Sequence, residues 1–183
     1  MAYYLPYSCG GELTPQRYVC SDCTPKDKGR VRHAILYDED YSFVDPTSFA
    51  EWNSLLNAGK ADIIRNVLGT YDGGQTSEED GFGDNEFTNG NTSHTLTIKD
   101  PNFFINRDFY NYIKNATGKK IAFASEHYIW MPASPVNVSI ALPIDEAIKS
   151  NNVAISTIKW ADADLPLLYT LPASLFTECR IYT

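Results

Sequence analysis

Four cysteines are the residues of this chain whose spacing first suggests a metal. Cys20 and Cys23 enclose a Ser-Asp pair, and two residues between thiolates let one turn aim both at a tetrahedral zinc ion. A complete site needs Cys9 together with Cys179, or a histidine such as His33. Only one Cys-x-x-Cys pair is present, so three readings stand: unligated cysteines, a disulfide or redox pair, and a small zinc-stabilised domain. A thioredoxin-like role needs a strand–helix–strand setting that the neighbouring sequence lacks.

A second candidate for cation chemistry is "GTYDGGQTSEEDGFGDNE", residues 69 to 86. It is rich in glycine and acid, and no Lys or Arg occurs between Arg65 and Lys99. An EF-hand loop places oxygen ligands at alternate positions and a Glu at the twelfth. Counting from Asp72, the third and fifth positions are Gly74 and Thr76, and counting from Asp80 the alternation also fails. Calcium is therefore not expected. A loop of this length inside a compact domain is uncommon unless it is functional or ordered by a partner. The expectation is that residues 72 to about 91 project from the sheet, with Asp72, Glu78, Glu79, Asp80 and Asp84 meeting a neighbouring subunit.

Catalytic signals are sparse. The histidines are His33, His94 and His127, and no GxSxG, HExxH, Walker A or GxGxxG pattern occurs. Glu126 and His127 are adjacent on what reads as one strand, so alternation sends them to opposite faces. Nothing marks a base beside Cys179. The chain is read as non-enzymatic, without a cofactor unless the cysteines hold zinc.

The elements that would position these residues alternate between two periods. "RVRHAILY" and "ADIIRNVLG" read as strands, and "HTLTIK" places His94, Leu96 and Ile98 on one face. Two segments open with Asp-Pro and read as helices. In the first, Asp45 caps, Pro46 leads and Gly59 terminates, with Phe49, Trp52, Leu55 and Leu56 on one face. In the second, Asp100 caps, Pro101 leads and Gly118 terminates. Its aromatic and aliphatic residues lie almost all round, which predicts burial on several sides, and Phe103, Phe104, Phe109 and Tyr110 are candidates for a subunit contact. Beyond residue 119 come "KIAFASEHYIWM", read as a single strand, then "PVNVSIAL", a helical turn at "PIDEAIKS", "VAISTIKW" and "LPLLYTL". The sum is an α+β fold: a mostly antiparallel β-sandwich or barrel of about six strands with two flanking helices.

Residues 1–29 are rich in turn formers and too poor in apolar residues for a core of their own. They read as an extended arm before a single domain at 30–183 that carries the acidic loop at about 70–92. Tyr3, Tyr4 and Tyr7 suit an arm that docks on a neighbour. The chain carries a formal charge of −8, which argues against a sequence-independent grip on phosphates. The apolar runs fall short of the roughly 18 residues of a membrane helix, so no membrane partner is expected, and the first residues lack the pattern of a signal peptide.

The segment "SHTLTIKDPNFFINRDFYNYIKNATGKKIAFASEHYIW" resembles tail-tube-like structural proteins of tailed phages of Bacteroides-type hosts, including the crAss-like group. The shared features are a strand, then "DPN", a helix bearing "NRDFYN", and a Lys-led strand ending in aromatics. The resemblance spans residues 30 to 176 and is most specific over 93 to 130. It implies a β-sandwich or barrel subunit with a flanking helix, assembled into a homo-oligomeric ring or tube whose lumen passes DNA during ejection. The neighbours implied are other tail and portal ring proteins, and the location implied is the virion tail, assembled in the host cytoplasm. The cysteine arm lies outside the resemblance. A competing expectation is an aromatic-rich binding module for a glycan or protein, with Tyr128, Trp130 and Trp160 as exposed stacking platforms.

Overall fold

Ala34 to Tyr37 form an unbroken apolar run, and in the computed structural model all four are buried. Such a run marks a strand covered on both faces. The structure describes residues 29–80, 87–102, 105–143 and 153–176. The run belongs to β1 (His33–Asp38), which pairs antiparallel with β2 (Ala61–Ile64) on one side and β6 (Lys119–Ala124) on the other. β7 (Tyr128–Met131) and β10 (Leu167–Thr170) complete a central sheet in the order β10-β7-β6-β1-β2.

The outer sheet has the order β3-β5-β9-β8, with β4 also pairing β5. Its strands are β3 (Leu68–Tyr71), β4 (Gln75–Asp80), β5 (Phe87–Asp100), β8 (Asn137–Ala141) and β9 (Ala154–Ala161). All pairings are antiparallel. The two sheets face each other across one core. Ala34, Leu36, Ile121 and Phe123 of the central sheet meet Leu96, Ile98, Ile158 and Trp160 of the outer sheet. The alternate residues of the central sheet, Ile35, Tyr37 and Ala122, pack on Trp52, Leu55 and Leu56 of α1 (Phe49–Asn57). The layers are thus helix, central sheet and outer sheet. The fold is the expected α+β sandwich; it does not close into a barrel, and the described residues hold ten strands rather than six.

Two of the additional strands come from splitting runs that read as single strands. "ADIIRNVLG" breaks at Asn66, whose φ of 54° is a left-handed conformation that Asn tolerates. That residue carries the chain out of the central sheet into β3 of the outer one. "KIAFASEHYIWM" folds back on itself instead: Ser125 N–H donates to the Tyr128 carbonyl at 3.0 Å, closing the β6–β7 hairpin. Glu126 and His127 therefore sit in a turn, where strand alternation does not apply.

Both helices start later than the Asp-Pro signals predict. Asp45 Oδ1 accepts from the Thr47 N–H and hydroxyl at 3.0 and 2.6 Å, making a turn before the helix. Ser48 takes the cap position, and Glu51 reaches back past it to the N–H groups of Val44 and Asp45, both at 2.9 Å. Asp100 likewise closes a turn through the Asn102 N–H at 2.8 Å, and α2 begins only at Arg107, spanning Arg107–Asn115. Phe103 and Phe104 lie outside the described residues. Because α2 starts late, its nine residues present one buried stripe, Tyr110 and Ile113, instead of apolar groups all round. α2 packs beside β8 and its buried residues join the core between the sheets. The helical turn expected at 143–150 falls almost entirely outside the described residues, as does the N-terminal arm up to residue 28.

Candidate interaction surfaces

The acidic segment is a β-ribbon. β4 pairs with β5 from Gln75↔Ser93 to Asp80↔Phe87, with a register shift between Thr76 and Glu78. On its other side β5 pairs with β9 only over Ser93–Asp100. The Asp162 N–H still donates to the Thr92 carbonyl at 3.1 Å, so among the described residues 87–91 of β5 pair with β4 alone, and this two-stranded ribbon runs on past the sandwich by roughly 17 Å for five residues. Thr76 and Thr92 hydroxyls bond across it at 2.9 Å, and the Ser77 hydroxyl donates to the Asn91 carbonyl at 3.2 Å. Gln75 through Glu78 are exposed. Glu79 and Asp80 continue the ladder opposite Thr88 and Phe87; residues 81–86, Asp84 among them, lie outside the described residues.

The ribbon is anchored where it leaves the sandwich. Asp72 Oδ1 accepts the N–H groups of Gly74 and Thr95 at 2.9 and 3.0 Å, and the Asp72 N–H donates to the Thr95 carbonyl. Burial acts against ionisation of Asp72, but these N–H donors prevail and hold its carboxyl below the ordinary value. Gly74 has φ of 87°, and a Cβ there would stand 2.7 Å from the His94 ring, so only glycine fits. His94 is fully buried: Nδ1 meets the Tyr71 hydroxyl at 2.7 Å, Nε2 faces the Asp162 carbonyl at 3.3 Å, and the ring stacks on Trp160. Burial, then the neighbouring Asp72 charge, push the Tyr71 phenol up to about 12.

The remaining candidate residues separate into three groups. Tyr3, Tyr4, Tyr7, Cys9, Cys20, Cys23 and Cys179 lie outside the described residues, and among the described residues no group of three His, Cys, Asp or Glu is placed to hold a metal. Tyr110, expected at a subunit contact, is in the core, its hydroxyl donating to Asp100 Oδ2 at 2.6 Å, and Phe109 packs half-buried beside it. Trp160 is only 4% exposed and Trp130 stacks on Phe123, so neither is a free stacking platform; Tyr128 is half-buried.

Two surfaces escaped the sequence reading. The first is the solvent face of the outer sheet, where pairing register aligns residues into rows. Thr70, Thr97, Thr157 and Ser139 form a hydroxyl row across four strands; Leu68, Lys99, Ile155 and Ala141 form the next. Beside the second row is a shallow cleft of about 250 Å³ lined by Arg30, Leu68, Gly69, Thr70, Thr97 and Lys99. It holds two cations and no carboxylate. Strand alternation in "HTLTIK" did put Thr97 and Lys99 on one face, but the rows need cross-strand register.

The second is a cavity of about 530 Å³ whose lining includes Arg32, His33, Ser125, Glu126, His127 and Phe176. His33 stacks on Phe176 with ring centroids 4.2 Å apart, and its Nδ1 accepts the Asn66 N–H at 3.3 Å, which leaves the proton on Nε2. Burial, reinforced by Arg65 and Arg32, lowers its pKa to about 4. Glu126, expected on the opposite face from His127, lines this cavity with it and pairs with Arg32 at 3.6 Å. The Ser125 hydroxyl donates to the Tyr128 carbonyl at 3.2 Å rather than to an imidazole.

The described residues contain no helix long and apolar enough to cross a membrane. No protein-family model matches the chain, and no curated protein or solved structure is significantly similar to it.

Proposed function

We propose that this protein is a non-enzymatic structural subunit of a phage tail, one copy in a ring or tube through which DNA passes. The observation that carries the reading is the β4–β5 ribbon. A two-stranded ribbon is marginal by itself, and this one extends beyond every other element paired with β5. A neighbouring copy supplies the surface it lacks. A second feature supports assembly: β10 is an edge strand, and Leu165, Leu167 and Leu168 around it are 66%, 59% and 47% exposed. Exposed apolar edge strands invite pairing with another chain. Ribbon and edge are different surfaces, on different sheets, so the subunit has more than one place to meet a neighbour. The net charge of −8 suits a DNA conduit, since like charge lets phosphates slide without binding.

The test is electron microscopy and light scattering on the full chain, with and without residues 76–91, these replaced by a two-residue turn. The expected result is rings from the intact chain, and from the deletion a folded protein, by circular dichroism, that remains monomeric. An intact chain that is strictly monomeric and absent from virions overturns the proposal. Normal rings from the deletion remove the ribbon as its basis.

A further inference from the structure

We propose that the acidic ribbon of one copy seats in the Arg30–Lys99 cleft of the next, so that copies join head to tail along the direction of β5. The proposal rests on the assembling-subunit reading above and names the contact that reading leaves open. Three observations carry it.

The charges are complementary and separately placed. Glu78, Glu79 and Asp80 follow one another on β4, and the segment has no cation between Arg65 and Lys99. The cleft offers Arg30 and Lys99, both exposed and without an ion pair among the described residues, flanked by the hydroxyls of Thr70 and Thr97.

Geometry then excludes a contact within one subunit. Glu78 pairs with Asn89 near one end of β5, and Lys99 lies near the other end. Ten residues of extended strand separate these positions by roughly 33 Å, and β9 stiffens the intervening Ser93–Asp100. The ribbon points away from its own cleft, so only another copy can supply one. A ribbon at one end of a strand and its receptor at the other form a heterologous pair that repeats from copy to copy.

The cationic face also fits poorly against DNA in motion. Lys99 and Lys159 are both exposed on the outer sheet, and exposed cations hold phosphates. A surface that meets protein carboxylates has use for them.

The test is charge reversal in the full chain, read by sedimentation and electron microscopy with circular dichroism to confirm folding. Glu78→Lys with Asp80→Lys should lower association by roughly tenfold or more, as should Arg30→Glu with Lys99→Glu, since each places like charges together. The chain carrying all four substitutions should regain assembly. Raising salt from about 0.05 M to about 1 M should weaken the wild-type contact, as screening shortens the reach of charge. Rings that form normally from either two-site variant overturn this contact while leaving the ring reading intact. Failure of the four-site chain to recover also overturns it. A wild-type chain that never assembles overturns both.

Discussion

The central and outer sheets solve the same burial problem in opposite ways. The central sheet is covered on both faces, by α1 and by the outer sheet, so β1 and β6 each carry four consecutive buried residues. Among the described residues the outer sheet is covered on one face, and β9 alternates buried and more open positions along its length. Its other face and its overhanging ribbon are exposed among the described residues. Burial is thus concentrated in the first sheet, and exposed surface in the second.

The widest separation between the two should appear at Trp52. Its ring is fully buried against Tyr37 and Phe43, and its Nε1–H donates to the Pro46 carbonyl at 2.8 Å. Trp52→Ala should cost about 3–5 kcal/mol in urea unfolding, whereas Thr97→Ala on the open face of the outer sheet should cost less than about 0.5 kcal/mol. Similar losses at both positions would break the comparison.

An intermediate effect is expected at Tyr110, where α2 is fastened to the end of β5. The Tyr110 hydroxyl bonds the buried Asp100 carboxyl, and burial followed by that bond raises the phenol pKa strongly. Tyr110→Phe deprives Asp100 Oδ2 of its donor, and an orphaned buried acceptor costs about 1–3 kcal/mol. Denaturation that stays within about 0.5 kcal/mol of wild type would mean that α2 is held by Ile113 and its neighbours alone.

How much of this the sequence revealed follows from the same contrast. "HTLTIK", "PVNVSIAL" and "VAISTIKW" were legible because one face is wet, so composition records the pleat. Both helices were legible in their cores, but their starts were not. Asp45 and Asp100 use their carboxylates to close turns at Thr47 and Asn102, and an Asp before Pro supports a turn as readily as a cap. β4 was invisible as a strand, because "QTSEED" has no apolar alternation and is ordered by pairing with β5 instead of burial. The projection of that segment could be read from its composition; the basic cleft could not. Arg30, Thr70 and Lys99 are brought together by register between β3 and β5 and by the Val31↔Gly69 bridge, and register has no local signature.

The smallest expected effect is confined to the base of the ribbon, and it concerns pH. Asp72 has its carboxyl pKa depressed in the folded chain, against the pull of burial, by the Thr95 and Gly74 N–H donors. A depressed folded value means the opened ribbon binds protons more readily than the closed one. The clamp is therefore complete above the ordinary carboxyl value of 3.8 and is lost as pH falls from there through the lower folded value. Asp72 is exposed, so the consequence is local opening and not global unfolding. Amide hydrogen exchange, corrected for intrinsic rates, should show protection at Gly74 and Thr95 falling over that interval while Ile35 and Ala122 in the central sheet hold theirs. Asp72→Asn should flatten the pH response at the first two positions. A parallel loss of protection in both sheets would mean that the ribbon is not an independently opening unit.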